Sequence, residues 1–469
     1  MGLALVVGTT IVITFIFFGQ LLLRSGGSNF FNDLSLVAMG RYRGGSAKIS
    51  ITASSLFGSV SGIAVSNIVA TGVITIPLMK RAGFSPRLAA TVEAVASTGG
   101  QLMPPVMGAV AFLMADFLEK PYRDIVIAAL VPSLLYYVAL FIQADLEAAK
   151  AGILRVEESA IPRAVKVFFR WGWVFTAPFA VLIYLLFWAN LRAETAAIWA
   201  SLAVLAIGLF IGYQGKRMRL RGLWESLVTT GLSVLDILMI VAGAGFIMGV
   251  LQVTGLGFAF TTLIVGSAGG NLFILLLISG VLCIVLGMGM PTAGVYLLLA
   301  VLIAPALVEV GINPLAAHMF ILYLGMMSLI TPPVAVAAFF AASLAGSPPM
   351  KTGWTCMQFG WTAYVVPFLF VFSPSLLLQG EPIDLVIDVS TAVAGVWLVS
   401  AAIVGYFARR IGAAARLCFG VAGALLLIPR GIADWIMWVN LAGLVLGAAI
   451  VGLEMVRTRR MKPASIDTG

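Results

Sequence analysis

Apolar runs long enough to cross a bilayer follow one another along nearly the whole chain, and this limits its fold more than any other feature. A helix needs about 20 such residues to span the hydrocarbon core, and backbone inside that core must find its hydrogen bonds within the protein. The expected class is an all-α polytopic membrane protein. Composition agrees, since 61% of the 469 residues are hydrophobic and only 10% are charged, which leaves no soluble domain of useful size. A net charge of +9 would suggest nucleic acid in a soluble protein, but the basic residues follow membrane topology instead, so no nucleic-acid partner is expected. Cys283, Cys356 and Cys418 stand in apolar stretches without metal-ligand spacing and read as small buried hydrophobes.

Spans are expected at residues 3–23, 88–117, 124–143, 171–189, 195–213, 225–251, 315–345, 357–378, 384–407, 412–429 and 435–455. The first run has no basic leader and reads as a retained span. Two stretches, 47–79 and 272–308, are too long for one crossing and carry a break at the centre, GSVSG at Gly58–Gly62 and GMGMP at Gly287–Pro291. Such breaks read as re-entrant hairpins, tolerated at membrane depth where the tip faces protein or a cavity. Eleven spans with two hairpins put 24 of the 28 Lys and Arg residues on one side, the cytoplasmic one. The outer side keeps only Lys120, Arg123, Arg192 and Arg430.

A shift of 228 positions superposes the two hairpin regions without gaps, setting Pro77 on Pro305, Gly83 on Gly311 and Pro86 on Pro314. Pro104-Pro105-Val106 falls on Pro332-Pro333-Val334, and Pro121 on Pro349. The loop after the first hairpin carries Lys80, Arg81 and Arg87, whereas its counterpart has Glu309 and no basic residue, so the copies are read as oppositely oriented. The chain then divides into a first span and cytoplasmic connector (1–46), repeat A (47–143), a connector with scaffold spans (144–271), repeat B (272–380) and a three-span extension (381–469). The connector from Asp145 to Lys166 reads as an amphipathic segment along the membrane surface.

Inverted repeats of hairpins and interrupted helices are the plan of alternating-access carriers, whose sites lie where half-helix ends and unwound backbone converge. Ser59, Ser61, Ser66 and Asn67 cluster at the first tip, facing the interrupted helix Ser97-Thr98-Gly99-Gly100 that runs on to two prolines. The second copy offers Gly287, Gly289 and Thr292 opposite Ser328 to Thr331. Carbonyl, hydroxyl and amide oxygens suit a dehydrated Na⁺, and the free N–H groups of a helix start suit a carboxylate. Two cation sites with an anionic substrate between them are expected. Glu93, a carboxylate inside an apolar helix, reads either as a functional intramembrane acid or as one that is solvated or paired with Lys80 or Arg87 near the cytoplasmic side.

The motifs FGSVSGIAVSNIVATGVITIPLMKRAGF, EAVASTGGQLMPPVMGAVAF, LGMGMPTAGVYLLLAVLIAPAL and AAHMFILYLGMMSLITPPVAVAAFFAASLAG resemble the large permease of tripartite ATP-independent periplasmic (TRAP) transporters over roughly residues 25–380. The likeness is greatest to the branch served by TAXI-type binding proteins. The resemblance implies an elevator-type carrier of the bacterial inner membrane, driven by Na⁺, to which a periplasmic binding protein delivers small organic anions such as dicarboxylates or amino-acid-like acids. It assigns cation and substrate binding to Ser59, Ser61 and Asn67 with Ser97, Thr98, Gly99 and Gly100, and to Gly287, Gly289 and Thr292 with Ser328 and Thr331. Fused members continue upstream of this sequence, so a small membrane subunit, or the missing amino-terminal part, is expected as a separate partner.

A binding-protein-independent Na⁺/carboxylate carrier on the same hairpin plan is the alternative. A pore would call for charge rings or a carbonyl filter, and a membrane enzyme for a nucleophile with its base. The sequence supplies neither, so no catalytic residue is expected.

Overall fold

The computed structural model describes residues 2–158, 161–163, 167, 171–433 and 435–461. Within them all regular structure is helical, apart from two isolated bridges, Tyr213–Lys216 and Tyr406–Arg410. Seven helices are long and apolar enough to cross a membrane: Leu5–Met39, Tyr122–Ala151, Ala193–Phe210, Leu220–Leu251, Pro349–Phe372, Pro382–Val404 and Ile436–Arg459. Shorter apolar helices include the second hairpin, Leu272–Gly287 and Thr292–Leu302, and the interrupted segment after it, Pro314–Met327 and Val336–Ala345. The chain is thus an all-α, multi-pass membrane protein.

Several boundaries depart from the sequence reading. The first span is interrupted at Gly26, close to its expected end at residue 23, where a non-helical φ of 102° sets the backbone beside Tyr213, and the connector that follows is itself helical over Ser28–Met39. Helix Leu256–Ser267 fills a stretch to which no element was assigned. Residues from Asp145 onward do not begin a separate surface segment. Helix Tyr122–Ala151 continues through them and ends at Gly152 in the left-handed conformation. The charge is tolerated there because Asp145 pairs with both Arg43 and Lys48, the latter at 2.7 Å. Residues 159, 160 and 164–166 of that stretch, Lys166 included, lie outside the described residues.

The two halves share one local plan. The first hairpin is an entry arm, Gly45–Ser61, and a return arm, Ala64–Arg81. Its counterpart is Leu272–Gly287 followed by Thr292–Leu302. The helices that come next, Pro86–Gly99 and Pro314–Met327, start and stop 228 positions apart. Each begins with proline at its first position and a side-chain cap before it, Ser85 accepting from the Leu88 N–H and Asn313 from the Leu315 N–H. Each then breaks at a cis Pro-Pro pair and resumes as a short helix, Ala109–Phe117 or Val336–Ala345.

Close backbone approach sets the depth of the first hairpin. A Cβ on Gly58 would lie 2.4 Å from the Gly100 Cα, and one on Gly62 would lie 2.2 Å from the Gly108 Cα. Only glycine pairs let tip and helix break touch along their backbones. The break is braced from behind by Tyr136 and Tyr137, whose hydroxyls donate to the carbonyls of Val95 and Ala96 at 2.6 and 3.0 Å. The halves also interlock, because Val336–Ala345 and Pro349–Phe359 both pack on Pro86–Gly99. The last three helices share a small core around Phe419 to which Leu146 contributes, and Pro382–Val404 packs on Tyr122–Ala151.

Candidate functional site

Both hairpin tips and both helix breaks meet at one cavity of about 390 Å³. Its wall includes the first residues of four helices, Ala64, Ala109, Thr292 and Val336. None of the four starts carries a side-chain cap. An uncapped start leaves backbone N–H groups without helical partners and carries partial positive charge. At Val336 the Leu329 carbonyl accepts from the Ala337 and Ala338 N–H groups at 2.9 and 3.4 Å, which leaves the starts at Ala64, Ala109 and Thr292 around one small cavity as a natural place for an anion.

Two polar side chains on this wall have unmet hydrogen-bonding capacity. Gln101 is 3% exposed, and neither its amide oxygen nor its amide nitrogen has a partner; the buried Ser61 hydroxyl has none either. A buried polar group left unpaired costs about 1–3 kcal/mol, so groups aimed at a cavity in this state are poised for a ligand. Asp236 and Ser233, on helix Leu220–Thr254, also line the cavity.

The residues singled out in the sequence fall into three groups. Ser61, Gly289 and Thr292 line the cavity. Asn67, Ser97, Gly100, Gly287 and Ser328 lie in the seams between each hairpin and the break it faces. In the first seam the Asn67 amide donates to the Ser54 carbonyl at 2.8 Å and to the Ser97 carbonyl at 3.4 Å, and packs against Gly100. In the second, the Ser328 hydroxyl lies 2.9 Å from the Gly287 carbonyl and 2.7 Å from that of Gly325, so three oxygens converge. The remaining residues turn elsewhere. Ser59 and Thr98 bond their own helix at Leu56 and Ala94, Gly99 is pressed against the Tyr136 ring, and Thr331 bonds Met327 and the Tyr364 hydroxyl.

Glu93 is fully buried, and the pairing with Lys80 or Arg87 is not formed. Lys80 donates instead to the Ala345 carbonyl, and hydroxyls surround the carboxylate. His318, the single histidine, bonds the Tyr296 hydroxyl at 2.7 Å away from the cavity wall.

Sequence reasoning passed over Gln101, Ser233 and Asp236. The signal for Asp236 was present, a carboxylate in the middle of an apolar 35-residue helix, which the same rule applied to Glu93 would have flagged. Gln101 offered a weaker one, as the single amide between two glycines and two prolines.

Comparison with known proteins bears on what this cavity serves. The family described as "Tripartite ATP-independent periplasmic transporter, DctM component" matches residues 4–381. The C4-dicarboxylate TRAP transporter large permease protein DctM of Pseudomonas aeruginosa is 25% identical, over 72% of this chain and 77% of that protein. Its counterpart in Vibrio cholerae is 23% identical over 74% and 81%. The sialic acid TRAP transporter permease protein SiaT of Haemophilus influenzae is 23% identical over 72% of this chain and 53% of its own length. The match takes in both hairpins, both helix breaks and the cavity between them, and the chain belongs to the DctM family of TRAP transporter large permeases.

Proposed function

We propose that this chain is the large permease of a binding-protein-dependent secondary transporter that imports small organic anions with Na⁺. The observation that carries the reading is the cavity lined by the three open helix starts at Ala64, Ala109 and Thr292 and by the unpartnered Gln101 and Ser61. A carboxylate entering it would meet N–H groups from both repeats and the Gln101 amide, which no water-filled pore needs. The two seams offer the cation sites, one around Asn67, Ser97 and Gly100 with Ser59, Thr98 and Gly99 beside it, the other around Gly287 and Ser328 with Thr331 adjacent. Cation binding there would draw each hairpin onto its helix break and complete the cavity wall. Repeats of this kind would carry the site across the membrane as an elevator.

Asp236 narrows the substrate class. A second carboxylate on the substrate would be repelled by it, whereas an ammonium group would be held. An amino-acid-like anion, delivered by a TAXI-type periplasmic protein with a small membrane subunit alongside, fits the cavity better than a dicarboxylate.

Uptake into proteoliposomes tests the reading, using this chain with its small subunit, the periplasmic binding protein, and labelled dicarboxylates and amino acids. Accumulation is expected only with an inward Na⁺ gradient and the binding protein. Gradient-independent equilibration would sink the carrier reading in favour of a pore, and uptake without the binding protein would sink the tripartite one. With Asp236→Asn, discrimination against dicarboxylates should fall; unchanged discrimination would remove Asp236 from the substrate argument.

A further inference from the structure

A second, polar cleft of about 490 Å³ shares no residue with the central cavity. Three of the helices long enough to cross a membrane finish around it: Tyr122–Ala151, Pro349–Phe372 and Pro382–Val404. The end of the first supplies Glu147 and Lys150, the start of the second Lys351, and the end of the third Ile403. Ser85 and Arg87, where helix Pro86–Gly99 begins, complete the wall. A cleft built at the ends of spans lies where hydrocarbon gives way to lipid headgroups and water.

The walls are locked to one another. Pro86–Gly99 packs on Pro349–Phe359, and Tyr122–Ala151 packs on Pro382–Val404. The buried Gln143 amide donates to the Phe359 carbonyl at 2.5 Å and so fastens the first span to the second. Lys150 donates to the Val404 carbonyl at 2.8 Å and fastens it to the third. The charged side chains around the cleft are therefore carried on backbone that packing has already placed.

Charge on this wall is unbalanced. Three cations, Arg87, Lys150 and Lys351, stand against one carboxylate, Glu147, which lies 3.9 Å from Lys150. Arg87 and Lys351 take part in none of the ion pairs or side-chain hydrogen bonds among the described residues, and both are exposed. Ser85 accepts from the Leu88 N–H and keeps its own hydrogen free to donate. The three cations come from segments far apart in sequence, all of which the charge pattern places on the cytoplasmic side. At the position of repeat B that matches Arg87 stands Leu315, so packing of the repeat does not call for a cation there.

We propose that this cleft binds the phosphate headgroup of an anionic phospholipid of the cytoplasmic leaflet, with Arg87 and Lys351 as its cationic partners and Ser85 as a neutral donor. An unpaired guanidinium and an unpaired ammonium are what a phosphate recruits. The position at the ends of three spans selects a lipid over a soluble phosphate, and so does Trp354, an indole 56% exposed on the same wall and of the kind that settles at a bilayer interface. A headgroup held there joins repeat A, through Arg87, to repeat B, through Lys351. The site does not depend on what the permease carries.

Thermal melts of the full-length chain in detergent test this, with phosphatidylglycerol titrated in against a phosphatidylcholine background. Phosphatidylglycerol should raise the melting temperature saturably. Arg87→Gln and Lys351→Gln should each shift the midpoint of that titration about fivefold to higher lipid, and the double variant about 25-fold, as roughly one surface charge each implies. Both side chains are exposed and unpaired, so the variants should fold. Arg219→Gln, the same charge change at an exposed position outside the cleft, should leave the midpoint where it is. A midpoint unmoved in the double variant would overturn the proposal, and so would an equal shift in Arg219→Gln, which would mean diffuse surface charge alone. If glycerol 3-phosphate, the headgroup chemistry without acyl chains, stabilises the chain at the same concentrations and with the same dependence on Arg87 and Lys351, the ligand is a soluble phosphate and the lipid assignment falls.

Discussion

Gly58→Ala probes the contact on which the first hairpin depends. The added Cβ would sit 2.4 Å from the Gly100 Cα and 2.7 Å from the Asn67 amide nitrogen, where ordinary contact begins at 3.4 Å. Tip and break must therefore part by about one ångström, a displacement that overpacked interiors resist at about 1–3 kcal/mol. The same movement stretches the Asn67 bonds to the Ser54 and Ser97 carbonyls, both in buried surroundings, at about 1–3 kcal/mol more. The neighbour is backbone braced by two tyrosine hydroxyls, so side-chain adjustment gives little relief. We expect Gly58→Ala to lower the melting temperature in detergent and to cut Na⁺-driven uptake by at least about tenfold, as a loss near 2 kcal/mol at the seam implies. Gly231→Ala is the control, since a Cβ on Gly231 meets nothing within 4 Å. If Gly58→Ala melts and transports like the Gly231 variant, backbone contact between tip and break is not what positions the site.

Four further predictions follow from particular contacts. Gln101→Leu should leave the melting temperature unchanged or raised, because the amide has no partner to lose, while weakening substrate affinity in a binding titration. Asn67→Ala should destabilise the folded chain by about 1–3 kcal/mol and reduce the Na⁺ dependence of uptake; unaltered Na⁺ dependence would take the first seam out of the coupling scheme. Arg430 holds Asp388 at 2.8 Å and Asp384 at 3.2 Å between the last helices, so a double-mutant cycle on Arg430 and Asp388 should show favourable coupling, of about 0.5–3 kcal/mol, read from thermal melts. Ser328→Ala removes the hydroxyl that joins Gly287 to Gly325, and uptake should fall more than stability does.

The class of fold and the duplicated plan were legible because both rest on local chemistry. Apolar runs of bilayer length leave few alternatives, and glycine and proline mark breaks wherever they fall. The spans expected from residues 88 and 315 begin within two positions of that, at Pro86 and Pro314, and the paired prolines at 104–105 and 332–333 mark the interruptions. Ser61, Gly289 and Thr292 could be named as tip residues for the same reason, and all three line the cavity.

Other features depended on which side chains meet, and a linear reading cannot supply that. Asp145 looked like the start of a surface connector until Arg43 and Lys48, about a hundred positions earlier, neutralised it inside a continuing helix. Ser59 and Thr98 were plausible ligands by type, yet each turns to its own helix, an option open to every helical serine or threonine and settled only by packing. Asp236 enters the cavity from a helix outside both hairpin regions. The stripes of Ser50 and Ser54, of Thr71 and Thr75, and of Glu93 and Ser97 are visible at four-residue spacing, but spacing says only that each helix has a polar face. That the three faces close on a single buried carboxylate is decided by tertiary structure, because it depends on how deeply the hairpin seats, and that depth is set by Gly58 against Gly100 and Gly62 against Gly108.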